Sequence, residues 1–144
     1  MLSIDNTYNT QDLKAWSTRT KKHLQEAGNN DPVHWVLELK IDGVAASLIY
    51  ESGLLVLGAT RGNGVVGDDI THNVRTIKAI PLRLGLQKPP PQVEVRGEVF
   101  MTNSALVALN ESQSSRGLPP FANTRNVAAG SIRLLDSREC GTRP

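Results

Sequence analysis

A chain of 144 residues, 39% hydrophobic and 21% charged, suits one globular domain with a real core and excludes wholesale disorder. Sixteen basic against fourteen acidic side chains leave a net charge of +2, too little to assign nucleic-acid binding from charge alone. The lone Cys140 excludes an internal disulfide, His23, His34 and His72 lack ligand spacing, and neither a signal peptide nor a bilayer-length apolar run is visible, which points to a soluble, cytoplasmic domain.

Residues 1–9 are polar and turn-rich. Thr10 is placed to cap a helix running to about Ala27, with Leu13, Trp16 and Leu24 at helical spacing and Gly28 as its stop. The helix reads as a packing element, and residues 28–32 as a loop. Residues 35–43, Trp-Val-Leu-Glu-Leu-Lys-Ile-Asp-Gly, read as a strand. Leu37, Leu39 and Ile41 then share one face, and Glu38, Lys40 and Asp42 the other. A half-buried strand with a solvated charged face accounts for that pattern by itself.

Residues 44–50 read as a second strand, 51–53 as a turn and 54–60 as a third, so an antiparallel sheet carries Lys40 near its start and Arg61 at its end. In Arg61-Gly62-Asn63-Gly64-Val65-Val66-Gly67-Asp68-Asp69 the glycines allow a backbone to approach a phosphate or base. The spacing is neither the dinucleotide fingerprint nor the Walker loop, and a plain hairpin loop explains it equally well. Asp68 or Asp69 is placed to cap a short helix with Ile70, Val74 and Ile77 on one face, leaving Asn73 and Arg75 off it. Residues 80–84 read as another strand and 88–91 as a stiff connector.

Residues 93–100 repeat the alternation, with Val93, Val95 and Val99 on one face and Glu94, Arg96 and Glu98 on the other. Gly97 leaves a gap on the apolar face. Residues 103–116 read as a helix ending at Gly117, and 121–133 as a loop entering a helix rich in small residues. The last residues read as a connection.

Taken together, MLSIDN (1–6), ELKIDGVAASLIYESG (38–53), ATRGNGVVGDDITHNVRTIKAIPLRL (59–84), VEVRGEVF (93–100) and FANTRNVAAGSIRLLD (121–136) resemble the adenylation domain of NAD-dependent DNA ligases over nearly the whole chain. Lys-x-Asp-Gly alone is shared with ATP-dependent ligases, RNA ligases and capping enzymes; the last block is selective for the NAD-using branch. Asn63, Asp68 and Thr124 stand where the family usually has Asp, Glu and Pro. The resemblance implies an α+β fold of the nucleotidyltransferase type (ATP-grasp-like, as in DNA ligase adenylation domains), an antiparallel sheet with flanking helices, incomplete at both ends. Residues 1–144 would be a partial adenylation domain. The nicotinamide-binding domain, the later lysine-bearing motifs, the oligonucleotide-binding fold, the zinc finger with its Zn²⁺ and the helix-hairpin-helix elements would lie outside it.

The same resemblance implies NAD and Mg²⁺ as cofactors and nicked double-stranded DNA as the partner of the full-length protein, acting in replication and repair as a monomer without a membrane. It implies that Lys40 is the nucleophile that takes AMP and that Asp42 orients the amine or a hydrated metal. Glu38 and Leu39 border the adenine, Ser3 and Ile4 lie against the base, Arg61 contacts the ribose or phosphate side and Glu98 the ribose. No protein metal ligand is assigned. A neutral amine makes a labile phosphoramidate. Carboxylates beside it favour the ammonium form, so a cation, Mg²⁺ on the phosphates or Arg61 and the later lysines, has to offset them. Three readings remain open here: an NAD-using ligase fragment that does not ligate alone, an ATP-using ligase or capping-type enzyme, and a non-catalytic nucleotide- or DNA-binding remnant.

Overall fold

Backbone proximity divides the chain, in a computed structural model that describes residues 6–144, into two compact units, one ending at Leu39 and one spanning Lys40–Pro144. In the first, α1 (Thr10–Glu26) begins at Thr10, the expected cap, so the cap lies one residue earlier. Asn9 caps it, its Oδ1 accepting the Asp12 N–H at 2.8 Å. Gly28, at φ +81°, turns the chain out of the helix as its position predicted.

No residue of α1 is buried, and Trp16 meets Trp35 with ring centroids 5.0 Å apart. One expectation fails in this unit. Residues 32–42 carry no helix or strand, and Leu37 and Leu39 stand 99% and 88% exposed. A strand exists only within a ladder, and residues 35–42 have no ladder partner among the described residues. Alternation recorded an amphipathic segment and could not say what it pairs with.

The second unit is built on a three-stranded antiparallel sheet of order β2-β1-β3, with β1 (Val44–Glu51), β2 (Leu54–Thr60) and β3 (Gln92–Val99). The turn at Ser52–Gly53 uses positive φ at both residues, as a tight hairpin requires. Registry places Ala46, Leu48 and Tyr50 beside Gly97, Val95 and Val93 on one face. Tyr50 is 2% exposed and donates its hydroxyl to Pro81 O at 2.9 Å. Against this face pack Ile70 and Val74 of the α2 segment (α2, Thr71–Val74), together with Ile132. The Thr71 hydroxyl accepts the Gly58 N–H at 3.0 Å, and the Ile70 N–H donates to Gly58 O at 2.8 Å, which sews α2 to β2.

Residues 80–84 do not form a strand; a single bridge between Leu54 and Arg83 is all that forms, because Pro81 removes one donor. Asn73 belongs to the core instead of lying off it: it is fully buried and donates to Ile132 O and Leu134 O, both at 2.8 Å. The helices α3 (Asn103–Ser115) and α4 (Thr124–Ser131) appear where expected, capped by Thr102 and Asn123. A fifth, α5 (Ser137–Gly141), occupies residues read as a connection. Mixed helices around an antiparallel sheet agree with the α+β expectation.

Candidate functional site

Antiparallel pairing gathers three distant segments at one end of the sheet. Val44, where β1 begins, pairs with Val99, where β3 ends; Ala46 pairs with Thr60, where β2 ends. The segment before β1, the loop after β2 and the last residues of β3 therefore meet. Lys40 and Asp42 lie on the first, Arg61 on the second and Glu98 on the third.

Ala45 is the hinge of this arrangement. It faces Glu98 in the β1–β3 register, and its carbonyl accepts the Arg61 N–H at 3.1 Å. The backbones of Arg61 and Glu98 thus flank β1 at one level, roughly 10 Å apart across two strand spacings. Glu98 Oε1 accepts the N–H of Gly43 at 3.1 Å, tying the end of Lys-Ile-Asp-Gly to β3. Gly43 is buried, and any Cβ there would overlap Val99 O, so the glycine is demanded by close backbone approach.

The carboxylate of Asp42 is answered by Arg125, whose Nη1 donates to Asp42 Oδ1 at 3.1 Å. That cation was not among those expected to offset it. The partners are 83 residues apart, and no local spacing announces them.

The glycine loop is closed at its base. Thr60 N–H donates to Asp68 O at 2.9 Å, Asp68 N–H to Thr60 Oγ1 at 2.9 Å, and Thr60 itself is buried. Asn63 Oδ1 accepts the N–H groups of Val65 and Val66 at 3.0 and 2.8 Å. Gly62 and Gly67 serve this closure: a Cβ would overlap Val66 O at the first and Thr60 O at the second. Gly64, at φ +95°, alone of the three faces open space. The loop glycines thus serve mainly the loop's own fold, with one position left open to a ligand.

Arg133 Nε donates to Asp68 Oδ2 at 2.8 Å, and this hydrogen bond, with that of Thr60, holds the Asp68 carboxyl below the usual carboxylate range. Asp69 is held below it too, by the hydroxyl and N–H of Thr71 at 2.6 and 2.9 Å. On the sheet face bearing Glu98, Glu94 accepts from Arg96 Nε at 2.8 Å and Ser47 Oγ at 2.6 Å; both bonds lower its carboxyl.

Of the expected site residues, Lys40, Asp42, Arg61 and Glu98 belong to the second unit, at the sheet end just described. Glu38 and Leu39 belong to the first unit, on exposed irregular chain. Ser3 and Ile4 lie outside the described residues. Among the described residues no three histidine, cysteine or carboxylate side chains cluster as a metal cage, and no helix is long and apolar enough to cross a membrane.

The profile of the NAD-dependent DNA ligase adenylation domain matches residues 1–144. A protein named DNA ligase from Bdellovibrio bacteriovorus is 49% identical over 144 residues, all of this chain and 21% of that protein. One from Thermotoga petrophila is 51% identical over 137 residues, 95% of this chain and 19% of the relative. One from Geobacter sulfurreducens is 46% identical over 144 residues, again 21% of its length. The chain thus spans about a fifth of the length of the curated relatives it matches.

Proposed function

The chain belongs to the NAD-dependent DNA ligase adenylation domain family, and from that premise we propose that it is the part of a nick-sealing ligase that takes AMP from NAD onto Lys40. The observation that carries this is the closure of Lys-Ile-Asp-Gly against β3 by the Glu98–Gly43 hydrogen bond, beside a loop whose Arg61 is anchored to the same strand. Lys40 Nζ, as the neutral amine, forms a bond to the adenylyl phosphorus of NAD. The phosphoanhydride P–O bond breaks, nicotinamide mononucleotide leaves with that oxygen, and the amine proton passes to solvent.

Glu98 suits a ribose because a carboxylate accepts from hydroxyl groups, and Arg61 suits the phosphate side because guanidinium is a fixed, always-charged donor. Asp42 orients the amine or a hydrated metal. Glu38, Leu39, Ser3 and Ile4 are assigned to the adenine. Gly64, open on its Cβ side, leaves the loop backbone approachable by a phosphate. Mg²⁺, when bound, neutralises phosphate charge. Such an ion is held by phosphates, waters and one or two carboxylates, which fits a site whose carboxylates are single and spread. Nicked duplex DNA, replication and repair, a cytoplasmic setting and a monomeric state belong to the full-length protein in this reading, and the 144 residues do not ligate alone.

Intact-mass measurement after incubation with NAD and Mg²⁺, beside ATP and a Lys40→Ala control, tests it. An AMP adduct from NAD that is absent in the variant supports the assignment. An adduct from ATP alone moves the protein to the ATP-using branch, and an adduct that survives Lys40→Ala removes Lys40 as nucleophile.

A further inference from the structure

Two arginines at opposite ends of α4 each hold a carboxylate from a different segment of the site. Arg125, in the first turn, pairs with Asp42, two residues after Lys40. Arg133, just past the C-cap Ile132, pairs with Asp68, which closes the loop opened by Arg61. Eight residues separate the arginines, about 12 Å of helical rise.

Two isolated surface pairs would do little, because ordering two long side chains offsets a screened attraction. Here the backbones on both sides are already fixed. The buried Asn73 bonds the carbonyls of Ile132 and Leu134, the residues that flank Arg133. Asp68 is held on its own side by the paired bonds to Thr60. At the other end Asn123 Oδ1 accepts the Asn126 N–H at 2.8 Å, and Asn110 exchanges two hydrogen bonds with Phe121 at 3.1 and 2.7 Å. Between the ends Val127, Ala128 and Ser131 are buried. The backbone share of the ordering entropy is therefore met by the fold before either ion pair forms, and only the side chains remain to be ordered.

We infer that α4 is a brace, with Arg125 and Arg133 as positioning residues that hold the Lys40–Gly43 segment and the Arg61–Asp69 loop in register for nucleotidyl transfer. Phosphorus and nucleophile must sit within about 3–3.5 Å and in line before reaction, and here they are presented by segments that share no strand. The brace rests on the reading of Lys40 as nucleophile for its purpose, but its geometry is testable without it.

Peptide-resolved hydrogen exchange on the 144-residue chain carries the test. Arg133→Gln should speed exchange at Asn63, Val66 and Asp68 by about two- to five-fold, the range expected of an exposed pair. Arg125→Gln should do the same at Gly43. In both, exchange at Ile70 should stay at the parent value, and the melting temperature at neutral pH should fall only by the small amount an exposed pair contributes. Arg133→Lys, which keeps the charge, should lie closer to the parent, and Asp68→Lys/Arg133→Glu should restore loop protection. Unchanged exchange at the loop and at Gly43, or a swap that fails to restore it, overturns the brace. So does faster exchange that spreads to Ile70. The same variants given NAD and Mg²⁺ should accumulate the AMP adduct more slowly than the parent. A parent chain that takes no AMP overturns the nucleophile reading, while the exchange arms still decide the brace.

Discussion

Glu98 Oε1 accepts the Gly43 N–H at 3.1 Å across 55 residues of sequence. One exposed carboxylate thereby fixes the backbone three residues after Lys40 and has a second oxygen to offer. A single side chain links the placement of the proposed nucleophile to the proposed ribose contact, and the two roles can be separated by substitution.

Glu98→Gln retains an acceptor oxygen for Gly43 and loses the charge; Glu98→Ala loses both. Adenylylation should fall in each, by about ten-fold or more where a hydrogen bond to a charged group, worth roughly 1.5–3 kcal/mol, is removed. Only Glu98→Ala should also speed exchange of the Gly43 amide. Equal exchange in the two variants would separate Glu98 from the Gly43 turn.

Gly43→Ala places a methyl group onto Val99 O, a backbone atom that cannot swing aside as a side chain would. The strand pair has to shift, at a cost of about 1–3 kcal/mol, the range for overpacked sites. Chemical denaturation should show a lowered midpoint at unchanged slope. Gly97→Ala is the control: it lies in the same strand pair, opposite Ala46, and a Cβ there meets open space.

The sequence made the hairpin and β3 legible because alternation and turn residues are local signals, and Val44–Glu51, Leu54–Thr60 and Gln92–Val99 carry them intact. The stretch around Lys40 shows the limit. Leu37, Leu39 and Ile41 alternate with charges, yet pairing is a property of a neighbour, and residues 35–42 have none among the described residues. Asn73 looked like a residue off the core face, because its partners lie 59 and 61 positions away. Arg125 and Arg133 find their carboxylates at separations of 83 and 65, and no periodicity encodes such distances. The residues proposed for the site belong to a motif that can be read locally; the cations and amides that hold them do not.

Acid should weaken the fold in a definite window. Asp68, Asp69 and Glu94 all have folded-state values below their ordinary ones, through hydrogen bonds to Arg133, Thr71 and Arg96 respectively. A lowered carboxylate contributes stability that is fully present above its unfolded value, about 4, and is lost as pH falls through the folded value. Melting temperature should therefore hold from neutrality to about pH 5 and decline below about pH 4. Glu94→Gln should flatten part of that decline. A melting temperature that rises on acidification would contradict the sign.

A large loss of stability in the second unit should come from Asn73→Ala. Asn73 is 0% exposed, and its side-chain amide N–H groups donate to Ile132 O and Leu134 O, while its Oδ1 is buried without a partner and its backbone carbonyl, which substitution leaves in place, accepts from Thr76 Oγ1 at 2.7 Å. Removing the side chain leaves Ile132 O without that donor and Leu134 O with His72 Nε2, 3.1 Å away, as its remaining side-chain partner, and opens a void beneath the turn that carries Arg133. Each buried group left unsatisfied costs about 1–3 kcal/mol, so the sum should lower the melting temperature by roughly 10 °C for a domain of this size. Asn73→Asp is the sharper variant: it fills the same volume, but the ionised side chain offers no N–H and turns negative oxygens toward the same carbonyls. If hydrogen bonding rather than volume is what Asn73 supplies, Asn73→Asp should destabilise at least as much as Asn73→Ala. A milder effect from Asp would assign the loss to the cavity instead.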